Sequence, residues 1–154
     1  MVTVGLLVLA AGRSSRFGSE KRLALLNDGR AVLHTTLSSA IASDLPVRVC
    51  LPDKDGELVE QSQHLGVETI ITCPRSDRGM GCSLAEGVSQ CYDWEGLLVI
   101  LGDMPFVKTE TYLTLANAVK DDAICLPIFL SPQRDRKQSN PRGPTWQNPA
   151  VPTH

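Results

Sequence analysis

The sequence lacks the features that mark membrane, secreted and nucleic-acid-binding proteins. No stretch approaches the roughly 18 consecutive apolar residues of a membrane-spanning helix, and the first seven residues carry none of the positive charge that opens a secretory signal. The formal net charge is only -2, so there is no overall attraction to nucleic acid or to an anionic membrane. We therefore expect a soluble cytoplasmic protein whose partners are neither nucleic acids nor membranes.

The cysteines and histidines are not spaced as disulfide bonds or metal sites require. The five cysteines are odd in number and form no C-x-x-C pair, which argues against a disulfide framework and against a cysteine-rich zinc site. Cys50 and Cys125 fall in predicted strands and are expected to be small buried groups. His34 and His64 each stand alone on a predicted helix without a second ligand four residues on, so we expect them to be structural or merely exposed.

Apolar strands and amphipathic helices alternate along most of the chain, which is long enough for one domain. The predicted strands cover residues 3–9, 46–51, 67–72, 96–101 and 123–129, and the predicted helices cover residues 31–43, 56–65, 79–91 and 108–120. Such alternation forms a parallel sheet through right-handed crossovers. The sequence therefore predicts an α/β fold in three layers with a mostly parallel central sheet.

The last part of the chain differs in composition from the rest. Residues 131–154 contain half of the ten prolines and hardly any apolar residues. A segment of this kind cannot bury enough surface to order itself. We predict a folded domain over residues 1–130, incomplete at its C-terminal end, followed by a Pro-rich irregular tail over residues 131–154. A sheet that stops after a fifth strand would leave an edge uncovered, so self-association through that edge is expected.

Residues 7–24 change abruptly from an apolar strand to a loop of small and cationic residues. Because Ala10, Ala11 and Gly12 have almost no side chains, a ligand can approach the backbone and several N–H groups can converge on an anion. The cations Arg13, Arg16, Lys21 and Arg22 follow within ten positions. The spacing fits neither the P-loop nor the dinucleotide-binding glycine motif. A polyphosphate is the ligand that this loop fits best, and a solvated polar loop is the alternative.

An aspartate follows the second strongly apolar strand, residues 96–101, in the tetrapeptide Gly102-Asp103-Met104-Pro105. Ligands of open α/β sheets bind beyond the carboxyl ends of the strands, and the hard oxygens of a carboxylate suit Mg²⁺. The alternative is that Asp103 caps the following helix, although Thr109 lies closer to its start.

A third segment, residues 78–87, places glycines at the start of a helix. Gly79 and Met80 stand where a helix presents free N–H groups and a partial positive charge, and Ser83 is a candidate either for a helix cap or for a ligand donor. The pattern alone fits a capped helix as well as a binding site. Cys82 has no histidine beside it in the sequence, so a nucleophilic or redox role for it is not favoured.

Together these segments resemble a nucleotidyltransferase family that includes the molybdenum cofactor cytidylyl- and guanylyltransferases, the MobA-like family. Residues 9–21 resemble its signature L-A-[AG]-G-x-[SG]-x-R-[MF]-G-x-x-K, residues 79–84 resemble G-M-x-x-S-[LI], and residues 102–105 match G-D-M-P. Residues 139–143 are similar to its G-N-P-x-G segment, so the resemblance covers about residues 3–143. Cys73 stands where the family often has Asn. The chain also lacks the second acidic motif that follows in the family, a loss expected to slow turnover more than nucleotide binding.

The resemblance implies a three-layer, Rossmann-like nucleotidyltransferase fold and transfer of a nucleotide from an NTP to a phosphorylated acceptor with release of pyrophosphate. The pair Ala10-Ala11 is similar to the cytidylyl branch, which implies CTP as the favoured nucleotide and the molybdopterin cofactor as the acceptor. The catalytic residues would be Arg16, Lys21 and Asp103, with Asp103 as the ligand of Mg²⁺. The nucleotide-binding residues would be Leu9, Ala10, Ala11, Gly12, Arg13, Arg16, Lys21, Gly79, Met80 and Ser83.

Two alternatives to this function remain at the level of the sequence. The acceptor could instead be a sugar phosphate or methylerythritol phosphate, with the same chemistry at the nucleotide. The chain could also be a non-catalytic nucleotide- or cofactor-binding protein that keeps the phosphate loop. Release of pyrophosphate from CTP and Mg²⁺ in the presence of acceptor distinguishes these classes.

Overall fold

The computed structural model of the chain describes residues 3–12 and 26–120, which form strands and α-helices in alternation. In chain order these are β1 Val4–Leu9, α1 Val32–Ile41, β2 Val47–Pro52, α2 Gly56–His64, β3 Thr69–Cys73, α3 Met80–Ser89, β4 Gly96–Leu101 and α4 Thr109–Ala118. A 3-10 turn, Ser76–Arg78, precedes α3. No helix in this part of the chain is both long enough and apolar enough to cross a membrane.

The predicted elements within these residues are all present, with bounds that differ from the prediction by two residues or fewer. One difference has a clear cause. β3 begins at Thr69 rather than at residue 67 because Gly66 adopts a positive φ of 98° and the Val67 amide bonds back to Ser62 at the end of α2. Val67 is buried, but it belongs to the connection. The predicted strand over residues 123–129, the tail over residues 131–154 and the proposed division between them lie outside the described residues.

The sheet has the strand order β3-β2-β1-β4, and every pairing is parallel. A helix follows each of β1, β2 and β3 and returns the chain to the end of the sheet at which the next strand begins, as parallel pairing requires. The α/β prediction is therefore confirmed. β1 lies in the interior of the sheet, and all six of its residues are buried.

The two faces of β1 pack against different helices, which makes the molecule three-layered. Leu6 and Val8 belong to a core cluster with residues of α1, α2 and α4, whereas Leu7 and Leu9 belong to a second cluster on the α3 face. This alternation is the period of two that a strand imposes on its side chains. The continuous apolar run of β1, expected for a strand covered on both faces, is explained by these two layers.

At the amino-terminal end of the sheet, Arg48 ties the connection between α3 and β4 to β2. Its guanidinium makes two hydrogen bonds of 2.7 Å to the Asp93 carboxylate and lies 4.3 Å from the centre of the Trp94 ring. The Trp94 ring in turn occupies the space beside Gly5, where a Cβ would lie only 2.2 Å from it. The hydrogen bonds from Arg48 hold the pKa of Asp93 below its usual value. This end of the sheet is opposite the one where the predicted site residues lie.

Candidate active site

The ends of β1 and β4 meet at the carboxyl edge of the sheet. Leu9 pairs with Leu101, and just beyond them the Gly102 amide donates a hydrogen bond of 2.9 Å to the Leu9 carbonyl. On the other side, the Ala10 amide bonds to the Cys50 carbonyl of β2 at 2.9 Å. The first residues of the predicted phosphate loop and the Gly102-Asp103 segment are therefore held side by side by the backbone.

The small residues of the predicted phosphate loop do not all face the same surroundings. Leu9, Ala10 and Ala11 are buried, and the methyl group of Ala11 packs in the α3-side core cluster. Gly12 is exposed, and a Cβ placed on it would meet no atom within 4 Å. The predicted contacts of Ala11 with a ligand would therefore come from its backbone. The predicted phosphate-binding cations Arg13, Arg16 and Lys21, together with Arg22, lie outside the described residues.

Gly102 is required by packing rather than by its backbone conformation. A Cβ at this position would lie 2.9 Å from Ala10 Cβ, 3.1 Å from Leu33 Cδ1 and 3.2 Å from the Leu9 carbonyl oxygen. The first of these contacts is shorter than real Cβ atoms show and the other two are tighter than most, so glycine allows the end of β4 to approach β1 this closely. The residue that follows, Asp103, is exposed and takes part in none of the ion pairs found among the described residues.

The alternative role of Asp103 as a helix cap is wrong. α4 begins at Thr109, its N-cap residue is Lys108, and no side chain caps it. Thr109 does not cap the helix either, because its hydroxyl donates to the Ser39 carbonyl of α1 at 2.9 Å. Asp103 therefore has no structural role that the described residues reveal.

The start of α3 is the third part of this edge. Its N-cap residue is Gly79, which has a positive φ of 115°, and neither a side-chain cap nor an acidic residue occupies its first turn. Met80 is largely exposed there. Ser83 does not cap the helix, contrary to one of the two predictions for it, because it lies inside the helix with its side chain buried. Ser83 is only 2% exposed, and its hydroxyl has no hydrogen-bond partner among the described residues.

Cys73 ends β3 and lies close to Ser83 beneath α3. It is fully buried, and burial raises the pKa of its thiol to about 11. Cys50, also fully buried as predicted, has a thiol whose pKa is likewise raised by burial. Both thiols are neutral near pH 7, so neither has the thiolate character of a nucleophile. The position where Cys73 replaces an Asn of the resembled family is thus filled by a small apolar group.

A cation that was not predicted from the sequence lies at this edge. Arg75 follows β3, and its Nε donates a 2.8 Å hydrogen bond to Glu86 Oε1 on α3. The Glu86 side chain is 12% exposed and the Arg75 side chain 56% exposed, so a largely buried carboxylate holds a cation whose remaining donors reach solvent. The second carboxylate oxygen of Glu86 is buried and has no partner in the part of the chain that the structure describes. The sequence signal that could have indicated this cation is the position of Arg75, two residues beyond the end of β3.

Comparison with known proteins now decides the family. A family model described as a MobA-like NTP transferase domain matches residues 6–138. The chain belongs to this family. No curated protein matches the chain significantly.

Solved structures agree with the MobA-like assignment. The structure of Rv0371c from Mycobacterium tuberculosis H37Rv is 26% identical, with a TM-score of 0.65 over 76% of this chain and 60% of that one. A complex of the same protein with manganese is 25% identical, with a TM-score of 0.55 over 76% and 59%. A nucleotidyl transferase from Methanothermobacter thermautotroptrophicus, Mth528, is 25% identical, with a TM-score of 0.63 over 75% and 57%.

A more distant structure shows the likeness of fold alone. It is the 4-diphosphocytidyl-2C-methyl-D-erythritolsynthase from Anaerococcus prevotii DSM 20548, which is 20% identical, with a TM-score of 0.59 over 76% of this chain and 50% of that one. The present chain thus spans about 60% or less of the length of these proteins. The nucleotidyltransferase-like fold expected from the sequence is confirmed.

The described part of the MobA-like chain contains no ready-made metal cage. Within residues 3–12 and 26–120, no group of three or more His, Cys, Asp or Glu side chains is placed to hold a metal. Mg²⁺ and similar ions are commonly bound through one or two carboxylates together with substrate phosphates and water. Asp103, which is exposed and takes part in no ion pair among the described residues, is compatible with that mode of binding.

Proposed function

We propose that this chain is a nucleotidyltransferase domain that transfers CMP from CTP to a phosphorylated acceptor, with the molybdopterin cofactor as that acceptor. The observation that carries the proposal is the contact between the ends of β1 and β4. The 2.9 Å bond from the Gly102 amide to the Leu9 carbonyl sets the exposed carboxylate of Asp103 beside the loop whose sequence predicts a phosphate site. Membership of the MobA-like family supports the same reaction class.

The reaction needs no covalent protein intermediate. An oxygen of the acceptor phosphate attacks the α-phosphorus of CTP, and the bond from that phosphorus to the bridging oxygen breaks, so that pyrophosphate leaves with the electron pair. A phosphate acceptor is already ionised at pH 7, so no general base is required. Arg16, Lys21 and the loop amides would hold the departing phosphates by charge-assisted hydrogen bonds.

Asp103 would hold the divalent cation, for which we propose Mg²⁺. When bound, the ion neutralises charge on the α-phosphate and on the departing pyrophosphate. The manganese complex of Rv0371c supports a divalent cation in a protein of similar fold. At the start of α3, Met80 would present its N–H group to the nucleotide, since no side chain caps the helix there. The Gly79 amide already donates to the Ser76 carbonyl at 3.3 Å, so Gly79 would contribute the open space beside its backbone, where a Cβ would meet no atom within 4 Å. The buried hydroxyl of Ser83, for which the described residues offer no partner, supports a polar contact beneath them.

Release of pyrophosphate from CTP tests the proposal directly. Full-length chain, CTP, Mg²⁺ and molybdopterin should give pyrophosphate, and Asp103→Asn should reduce the rate by about 100-fold or more, by analogy with loss of one transition-state contact. Asp53→Asn is the matched control, because Asp53 is an exposed aspartate just beyond the neighbouring strand β2. Equal loss in both variants, or no pyrophosphate from the parent with any phosphorylated acceptor, would contradict the proposal. In the second case a non-catalytic binding protein would be the better description.

A further inference from the structure

The hydroxyl of Thr36 connects α1 to the segment that carries Asp103. Thr36 is fully buried, and its Oγ1 lies 3.0 Å from the Val32 carbonyl oxygen and 3.0 Å from the Gly102 carbonyl oxygen. The first contact is the usual bond of a helical threonine to the carbonyl four residues earlier. The second reaches a residue 66 positions away. One hydroxyl proton therefore lies between a carbonyl of its own helix and a carbonyl of the candidate site.

Gly102 is fixed from its other sides as well. Its amide bonds to the Leu9 carbonyl, and its Cα faces Ala10 so closely that a Cβ would lie 2.9 Å away. The Gly102 carbonyl belongs to the peptide group that joins Gly102 to Asp103. A donor on this carbonyl fixes the plane of that peptide, and with it the direction in which the Asp103 side chain leaves the backbone.

We infer that Thr36 is a positioning residue, which holds the Gly102–Asp103 peptide in the orientation that presents the Asp103 carboxylate to a metal ion. The inference rests on the proposed function, in which Asp103 is the metal ligand. Without the hydroxyl, the buried Gly102 carbonyl loses its hydrogen-bond donor, which is unfavourable. The Gly102–Asp103 peptide would then rotate toward another donor. The carboxylate would then leave the place where the phosphate loop needs it.

The neighbouring residue supplies a matched control. Thr35 is also buried, and its hydroxyl donates at 3.0 Å to the Ala31 carbonyl at the start of the same helix. Among the hydrogen bonds of the described residues, that of the Thr35 hydroxyl stays within this helix end, whereas that of Thr36 extends to Gly102. Thr35→Val and Thr36→Val therefore make the same chemical change in the same helix, and only one of them removes a donor from the Asp103 segment.

Binding of Mn²⁺ in the presence of CTP tests the inference without any turnover. Free Mn²⁺ is followed by electron paramagnetic resonance with the full-length chain and no acceptor. Thr36→Val should weaken Mn²⁺ binding by about 10- to 100-fold, the usual effect of losing a group that orients a metal ligand. Thr36→Ser, which restores the hydroxyl, and Thr35→Val should each stay within about threefold of the parent, a difference below 1 kcal/mol. In Asp103→Asn, adding Thr36→Val should cause no further loss.

The outcomes separate this inference from the proposed function. If Asp103→Asn weakens Mn²⁺ binding and Thr36→Val does not, the positioning role is wrong and the proposed function stands. If Asp103→Asn binds Mn²⁺ like the parent, the metal role of Asp103 fails and the inference fails with it. Equal losses in Thr35→Val and Thr36→Val also overturn the inference, because they indicate a general effect on α1. Should Thr36→Val not fold, Thr36→Ala, which also removes the hydroxyl donor, is judged by the same criteria.

Discussion

At the scale of single residues, the site depends on backbone positions that the sequence alone does not distinguish. Gly12 and Gly102 both follow apolar strands, and both match motif positions. In the structure, a Cβ on Gly12 meets open space, whereas one on Gly102 meets Ala10, Leu33 and the Leu9 carbonyl. Gly102 is thus needed for the approach of two strand ends. Gly12 leaves room beside the backbone, which is what a bound phosphate requires.

We expect the cations Arg16 and Lys21 of the predicted phosphate loop to contribute to CTP affinity. Arg16→Ala and Lys21→Ala each remove one charged hydrogen bond to phosphate, worth about 1.5–3 kcal/mol, so CTP affinity should fall by about tenfold or more in each variant. Isothermal titration calorimetry with CTP in the presence of Mg²⁺ measures this affinity. Arg30→Ala is the control, since it removes the same charge from an exposed arginine that is already paired with Asp28. CTP affinity that is unchanged in both loop variants would show a merely solvated loop.

At the scale of elements, helix α3 lies unusually close to the sheet. Gly87 faces β1 and β2, where a Cβ would lie 2.7 Å from Cys50 Sγ and 2.9 Å from Leu7 Cδ2. A glycine inside a helix costs about 1 kcal/mol relative to alanine, so its presence here reflects packing and not helix propensity. The same approach positions Gly79 and Met80 at the carboxyl edge. The sequence predicted the helix but not the side that contacts the sheet so closely.

Two alanine substitutions in α3 distinguish the effect of packing against the sheet from the effect of helix propensity on stability. Gly87→Ala should destabilise the chain by about 1–3 kcal/mol, because the added methyl group must displace Cys50 and Leu7 or lift the helix. Gly81→Ala, in the same helix, meets no atom within 4 Å and should be neutral or stabilising by up to about 1 kcal/mol. Urea unfolding followed by circular dichroism gives both free energies. A Gly87→Ala variant as stable as Gly81→Ala would mean that α3 is not pressed against the sheet.

At the scale of the whole molecule, local patterns predicted the order and type of the elements, while contacts between distant residues could not be predicted. The run Val4–Leu9 and the motif at Gly102–Pro105 placed two strand ends correctly. The bond from Thr36 to Gly102 and the pair Arg75–Glu86 depend on how helices dock, and no local pattern encodes docking. One of the two roles predicted for Ser83, that of a helix cap, is wrong for a local reason: the chain enters α3 through Gly79, whose positive φ the sequence did not reveal.

The edge of the sheet remains a matter of prediction. β4 lies at one edge of the strand order formed by the described residues, and Val99 and Leu101 on this strand are 48% and 37% exposed. Apolar groups beside an unpaired strand favour further pairing. Self-association was predicted through the edge beyond a fifth strand, which lies outside the described residues, so it stays a prediction.

Stability of the whole chain should respond to the nucleotide that it binds. A ligand that binds only the folded state at 100 times its Kd adds about 2.7 kcal/mol, which for a chain of this size raises the Tm by about 5–10 °C. CTP with Mg²⁺ should produce such a shift in differential scanning fluorimetry, and GTP at the same concentration a smaller one, because the Ala10-Ala11 pair resembles the cytidylyl branch. Asp103→Asn should lose the part of the shift that depends on Mg²⁺, whereas Asp53→Asn should keep it. A larger shift with GTP would overturn the choice of CTP and leave the reaction class intact. No shift with any nucleoside triphosphate would instead contradict nucleotide binding itself, since a folded state that gains no stability from a ligand in excess does not bind it.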